Sequence, residues 1–172
     1  MRSKFAAAGA GLAAFVLFAA VAAAAAKPNF AGTWVLDAAK SEGVGGPQGG
    51  PAAEETMTIK QDGDKLTVER KIKGQQGERT QNDTYTADGK ETDFTMQMRG
   101  NETKGKRTAK WSADGNMLEV NDKASFDTPN GAMTMESQNK WSLSADGKTL
   151  TIEGTRTTPR GAQKIKRVYT KQ

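Results

Sequence analysis

The chain has 172 residues, 26% of them charged and 6% aromatic, a formal net charge of +5, and neither cysteine nor histidine. Those two absences exclude disulfide stapling, Ser-His-Asp and Cys-His nucleophiles, zinc sites of the usual His/Cys kind and histidine-ligated haem. No cofactor, metal or catalytic residue is expected, although carboxylate pairs of the kind used in glycoside hydrolysis stay open because Asp and Glu abound.

Arg2 and Lys4 precede an apolar run from Phe5 to about Val21, which closes on Ala24-Ala25-Ala26 before Lys27. A positive start, an apolar centre and a small-residue exit follow the order of a cleavable secretory signal. Residues 1–26 are therefore expected to be removed, leaving one domain over 27–172, periplasmic or secreted. No later run reaches the ~20 apolar residues of a spanning helix, so no stable membrane insertion is expected after cleavage. The densest basic stretch is Lys104, Lys106, Arg107 and Lys110, interleaved with Gly, Thr and Ala. It reads as a solvated strand face rather than a nucleic-acid surface.

The first strand is expected at Phe30-Ala-Gly-Thr-Trp-Val-Leu-Asp37. Asp-Gly then occurs at 62–63, 88–89, 114–115 and 146–147. Asp-Gly between alternating runs signals a hairpin, because glycine takes positive φ at little cost. Ile59, Tyr85, Trp111 and Leu143 stand three residues before each Asp. Leu66, Thr92, Leu118 and Leu150 stand four after, and Val68, Phe94, Val120 and Ile152 six after. These offsets share one face of each hairpin, while Lys60, Thr67, Glu69, Lys110 and Glu119 take the other. With a last strand over Gln163–Lys171, this gives an antiparallel up-and-down meander of about eight to ten strands. Closing it into a barrel buries the apolar face and removes the edges; a β-sandwich is the alternative.

The Asp-Gly turns make one tight end. The other end receives the connections at 38–54, 73–78, about 98–103, 127–131 and 158–161, the first of them carrying the Gly- and Pro-rich run Gly43–Pro51. Four charged residues share the inward parity near that loose end: Arg70, Asp83, Asp122 and Arg156. Charges on an apolar face are paired, at a rim, or functional. They are candidates for a polar mouth, with Trp111, Trp141, Tyr85, Phe94, Met96 and Met98 lining an apolar wall.

Gly32-Thr33-Trp34 resembles the Gly-x-Trp of the lipocalins and the wider calycin group, and the opening Asn-Phe-x-Gly-Thr-Trp with Asp37-Ala-Ala-Lys40-Ser41 resembles small secreted bacterial proteins. The resemblance implies a barrel whose closed end is plugged by Trp34, with Arg167 of the last strand packed across it and Gly32 beside it. It also implies a small-molecule-binding role, here for a largely apolar ligand whose anionic head would suit the arginines. A structural or protein-interaction module, its barrel filled by side chains, is the alternative. The haem use of the nitrobindin-like branch needs an axial histidine and is not carried over.

Overall fold

The computed structural model describes residues 27–43, 54–74, 77–98, 101–128, 131–159 and 161–172. The expected signal and the Val44–Pro51 part of the glycine-rich run lie outside the described residues, as does the side chain of Met98. Alternating sequence becomes strand nearly everywhere: β1 (Gly32–Leu36), β2 (Glu54–Asp62), β3 (Lys65–Gly74), β4 (Gly77–Thr86), β5 (Asp88–Met98), β6 (Asn101–Trp111), β7 (Leu118–Thr128), β8 (Gly131–Leu143), β9 (Thr149–Thr158) and β10 (Gly161–Lys171). They form one antiparallel sheet in the order β4-β3-β2-β1-β10-β9-β8-β7-β6-β5. The sheet curls into a nearly closed barrel, with β1 joining the two halves and a seam between β4 and β5.

All four Asp-Gly glycines adopt positive φ, from 56° at Gly63 to 77° at Gly89. The Ser-Ala-Asp-Gly turns at 112–115 and 144–147 are built alike. Ser112 Oγ donates to Asp114 Oδ1 and Ser144 Oγ to Asp146 Oδ1, at 2.5 and 2.6 Å. The Asp88-Gly89 expectation needs correction: it reverses the chain without closing a hairpin, because β4 and β5 are not hydrogen-bonded neighbours. The β4 ladder ends at Thr86 opposite Lys65, and the Ala87 amide then donates to the Asp64 carbonyl at 2.7 Å. That bond ties the chain back to the β2–β3 turn. The β5–β6 register also shifts between Asp88 and Glu91, so the barrel ends here in two edges.

The inward parity predicted from the offsets holds outside the seam. Leu66, Val68, Leu118, Val120, Leu150 and Ile152 are buried, whereas Thr92, on β5, is exposed. After β1, the Asp37-Ala-Ala-Lys40-Ser41 turn is a single 3-10 turn capped by Asp37. Ser41 Oγ donates to the Asp37 carbonyl at 2.7 Å and accepts the Val168 amide at 3.0 Å, fastening the turn to β10.

Candidate functional site

The tight end is closed from inside. Trp34 is fully buried, and its indole Nε1 donates to the Phe30 carbonyl at 2.9 Å. Phe30, also fully buried, stacks on Trp111 with ring centres 6.0 Å apart and meets Trp141 edge-on at 6.1 Å. The cation over Trp34 is Lys171, with Nζ 5.2 Å from the ring centre, and not Arg167 as the resemblance implied. The register explains the difference. Trp34 lies opposite Lys171 on β10, which leaves Arg167 four residues away, about 13 Å along the strand. Gly32, at φ 142°, makes room for this contact, since a Cβ there would stand 2.7 Å from Lys171 Cε.

Trp111 also departs from its expected place. It is half-buried at the closed end and donates its Nε1 to Asp64 Oδ1 at 2.8 Å, with Lys27 Nζ 2.6 Å from the same oxygen. Lys27 and then Trp111 hold the Asp64 carboxyl below its usual range. Trp111 is therefore part of the plug and does not line an inner wall.

Above the plug, the inward faces of β2, β3, β4, β6 and β7 carry a continuous ionic network. Asp83 is buried on β4; its Oδ2 accepts from Arg70 Nη1 at 3.2 Å and its Oδ1 from Arg107 Nη1 at 3.0 Å. Arg107 grips Asp122 with two bonds, Nε to Oδ1 at 2.7 Å and Nη2 to Oδ2 at 2.9 Å. Its guanidinium lies between two rings, 4.2 Å from the centre of Tyr85 and 4.4 Å from that of Phe94. Phe94 can lie there because β6 has Gly105 beneath it, where a Cβ would stand 2.6 Å from the ring. On the other side, Arg70 Nε is 3.7 Å from Glu55 Oε1, and that same oxygen accepts the Tyr169 hydroxyl at 2.8 Å. Burial pushes the Tyr169 hydroxyl well above its usual range, so it remains a donor.

Over this floor opens a cavity of about 350 Å³, lined by Arg70, Arg107 and Asp122, by Tyr85 and Trp141, and by Ile72, Met96, Met135 and Ile165 towards the loose end. Arg79, Arg156 and Arg167 also face it. Of the six residues expected to meet a ligand, Arg70, Asp122, Trp141 and Arg156 line this cavity; Asp83 lies behind the wall and Trp111 in the plug.

The five arginines are not equivalent. Burial opposes charge on Arg70 and Arg107, but Tyr85 and the paired carboxylates raise both above the ordinary range. Arg156 is lowered instead, by burial and then by Arg167. It is an exposed residue, yet an open barrel surrounds it with protein while water still reaches it from the loose end. Arg167 makes no ion pair among the described residues, and its Nε is buried without a hydrogen-bond partner. With Arg79, which also makes no ion pair among the described residues, three cations thus face the cavity uncommitted.

No protein-family model matches the sequence, and no curated protein is similar to it in sequence. Solved structures are similar in shape. A zebrafish ileal bile acid-binding protein complexed with cholic acid matches with a TM-score of 0.55 over 83% of this chain and 98% of its own, at 19% identity. The fold is calycin-like. Secretory abundant heat soluble protein 4 of Ramazzottius varieornatus shares it, with a TM-score of 0.51 over 83% and 94% of the two chains at 14% identity. At such identities the likeness concerns the fold alone.

The calycin-like barrel is therefore layered from end to end. Its aromatic plug is at the tight end, its ionic floor is at mid-depth, and a mixed wall of Ile72, Met96, Met135 and Ile165 with Arg79, Gln97 and Arg156 runs from there to the loose end. The sequence reading placed the charges at the mouth and the apolar surface within. The structure reverses that order for three of the four, because Arg107, Glu55 and Tyr169 join Arg70, Asp83 and Asp122 in a network at mid-depth, while Arg156 stays outside it.

Proposed function

We infer that this calycin-like barrel holds a small amphipathic anion with its charged head inward. The head meets Arg167 at the floor, and the body lies against Ile72, Met96, Met135 and Ile165. The observation that carries the reading is the uncommitted Arg167, whose buried Nε has no partner at the wall of a cavity of about 350 Å³. Protein ligand pockets commonly span roughly 300–1,000 Å³. A planar guanidinium suits a carboxylate, because the charge-assisted bonds form in a fixed fork. The likeness to a bile acid-binding protein complexed with cholic acid supports an amphipathic ligand. The function is binding rather than catalysis, and a barrel filled by its own side chains is the alternative against which the cavity counts.

Titration with a fluorescent fatty-acid-type carboxylate is expected to saturate at one probe per barrel. Arg167→Gln should weaken it by about 10- to 100-fold, the worth of a charge-assisted hydrogen bond of about 1.5–3 kcal/mol. A cationic probe with the same body should not compete. Absence of saturable binding by any apolar anion would overturn the reading and leave the structural module.

The site of action belongs to the same proposal: the protein works in the periplasm or the medium after loss of residues 1–26. Amino-terminal sequencing of exported protein should return Lys27 as the first residue. Retention of Met1 in a membrane fraction would contradict this.

A further inference from the structure

One inward row crosses four strands in register. Arg107 of β6 pairs with Asp122 of β7, Asp122 with Ser137 of β8, and Ser137 with Arg156 of β9. Within this row both oxygens of Asp122 are taken by Arg107. Arg156 is left beside the Ser137 hydroxyl and, on β10, Gln163. Neither is charged, and Arg156 makes no ion pair among the described residues. Its charged neighbour is Arg167, of the same sign. Arg167 lies opposite Ile152, four residues from Arg156 along β9, so the two guanidinium groups enter the cavity from rows about 13 Å apart. A ligand with one anionic head satisfies one of them. The other stays uncompensated over a partly desolvated wall, where unpaired charge is costly.

We propose that Arg156, with the Ser137 hydroxyl, is a second anion subsite, and that the preferred ligand carries two anionic groups, one at each end of an apolar spacer. This rests on the binding reading above and extends it to the class of ligand. The inner group meets Arg167 and the outer group Arg156, with the spacer along Ile165, which lies opposite Gly154 between the two rows. An apolar wall by itself would penalise a second carboxylate. A gain from adding one therefore requires a cation in place to receive it.

The test compares dodecanoate with dodecanedioate, each displacing the fluorescent probe from the full mature chain. Wild-type protein is expected to bind the diacid about tenfold more tightly, one charge-assisted bond's worth. Arg156→Gln should abolish that preference by lowering dodecanedioate affinity about tenfold, with the urea midpoint unchanged. Equal affinity for the two acids in wild type, or a preference that survives in Arg156→Gln, would overturn the second subsite while the carrier reading stands. Failure of both acids to bind would overturn both.

Discussion

Replacing Arg107 with alanine is expected to destabilise the barrel by about 3–5 kcal/mol, the usual cost of removing one partner from a buried ion pair. The size follows from what is left behind. Asp83 loses one of its two arginine partners and Asp122 loses both of its bonds to Arg107. Asp83 is only 5% exposed, so water cannot replace the guanidinium. The rings of Tyr85 and Phe94 lose the cation between them as well. Arg107 also spans the seam, because it sits on β6 and bonds to Asp83 on β4, where no ladder joins β4 to β5. Urea unfolding measures the loss. The triple variant Arg107→Ala, Asp83→Asn, Asp122→Asn removes the stranded charges and should recover a substantial part of it. A loss below about 1 kcal/mol for Arg107→Ala would mean that the network is solvated, as exposed pairs are.

Trp34→Ala is the second large effect, expected at about 3–5 kcal/mol as for other buried aromatic truncations. Trp34 is fully buried and satisfies its indole N–H on the Phe30 carbonyl, so alanine removes packing and orphans a carbonyl together. The neighbouring Val35 points the other way and is 36% exposed. Val35→Ala should therefore stay within about 0.5 kcal/mol, the range of ordinary surface substitutions. Comparable losses at both positions would contradict the inward parity of β1. Lys171→Ala should cost far less than Trp34→Ala, because an exposed cation over a ring contributes about 0.5–1 kcal/mol.

Much of the fold was legible because the strand period is two and the turns carry Asp-Gly. Parity counted from each Asp assigns the buried face of β2, β3, β6, β7, β8 and β9 correctly. The seam was not legible, since the same dipeptide serves a paired hairpin at Asp62 and an unpaired reversal at Asp88. What differs is a tertiary bond, Ala87 to Asp64, which no local signal announces.

The ionic floor was half legible. Seven residues before the four Asp-Gly turns stand Glu55, Gln81, Arg107 and Asn139, a polar row on the inward parity. Arg107 was assigned to solvent because it sits in a run with Lys104, Lys106 and Lys110. Parity separates it from those lysines, which are exposed while Arg107 is buried. Arg167 was placed over Trp34 by family pattern, and only the register of β1 on β10 moves it into the cavity. Asp83 and Arg70 were identified by parity and pair diagonally between neighbouring strands, but the contact of Asp83 with Arg107 across the seam depends on barrel closure, which a sequence period does not encode.

The central claim is that the cavity is built for an amphipathic anion. Native mass spectrometry of the protein purified from its own host under non-denaturing conditions tests it most directly. A population one small acidic molecule heavier than residues 27–172 is predicted, with the added mass lost in Arg167→Gln. A single bare mass for the wild-type protein, unchanged after incubation with apolar carboxylates, would contradict it.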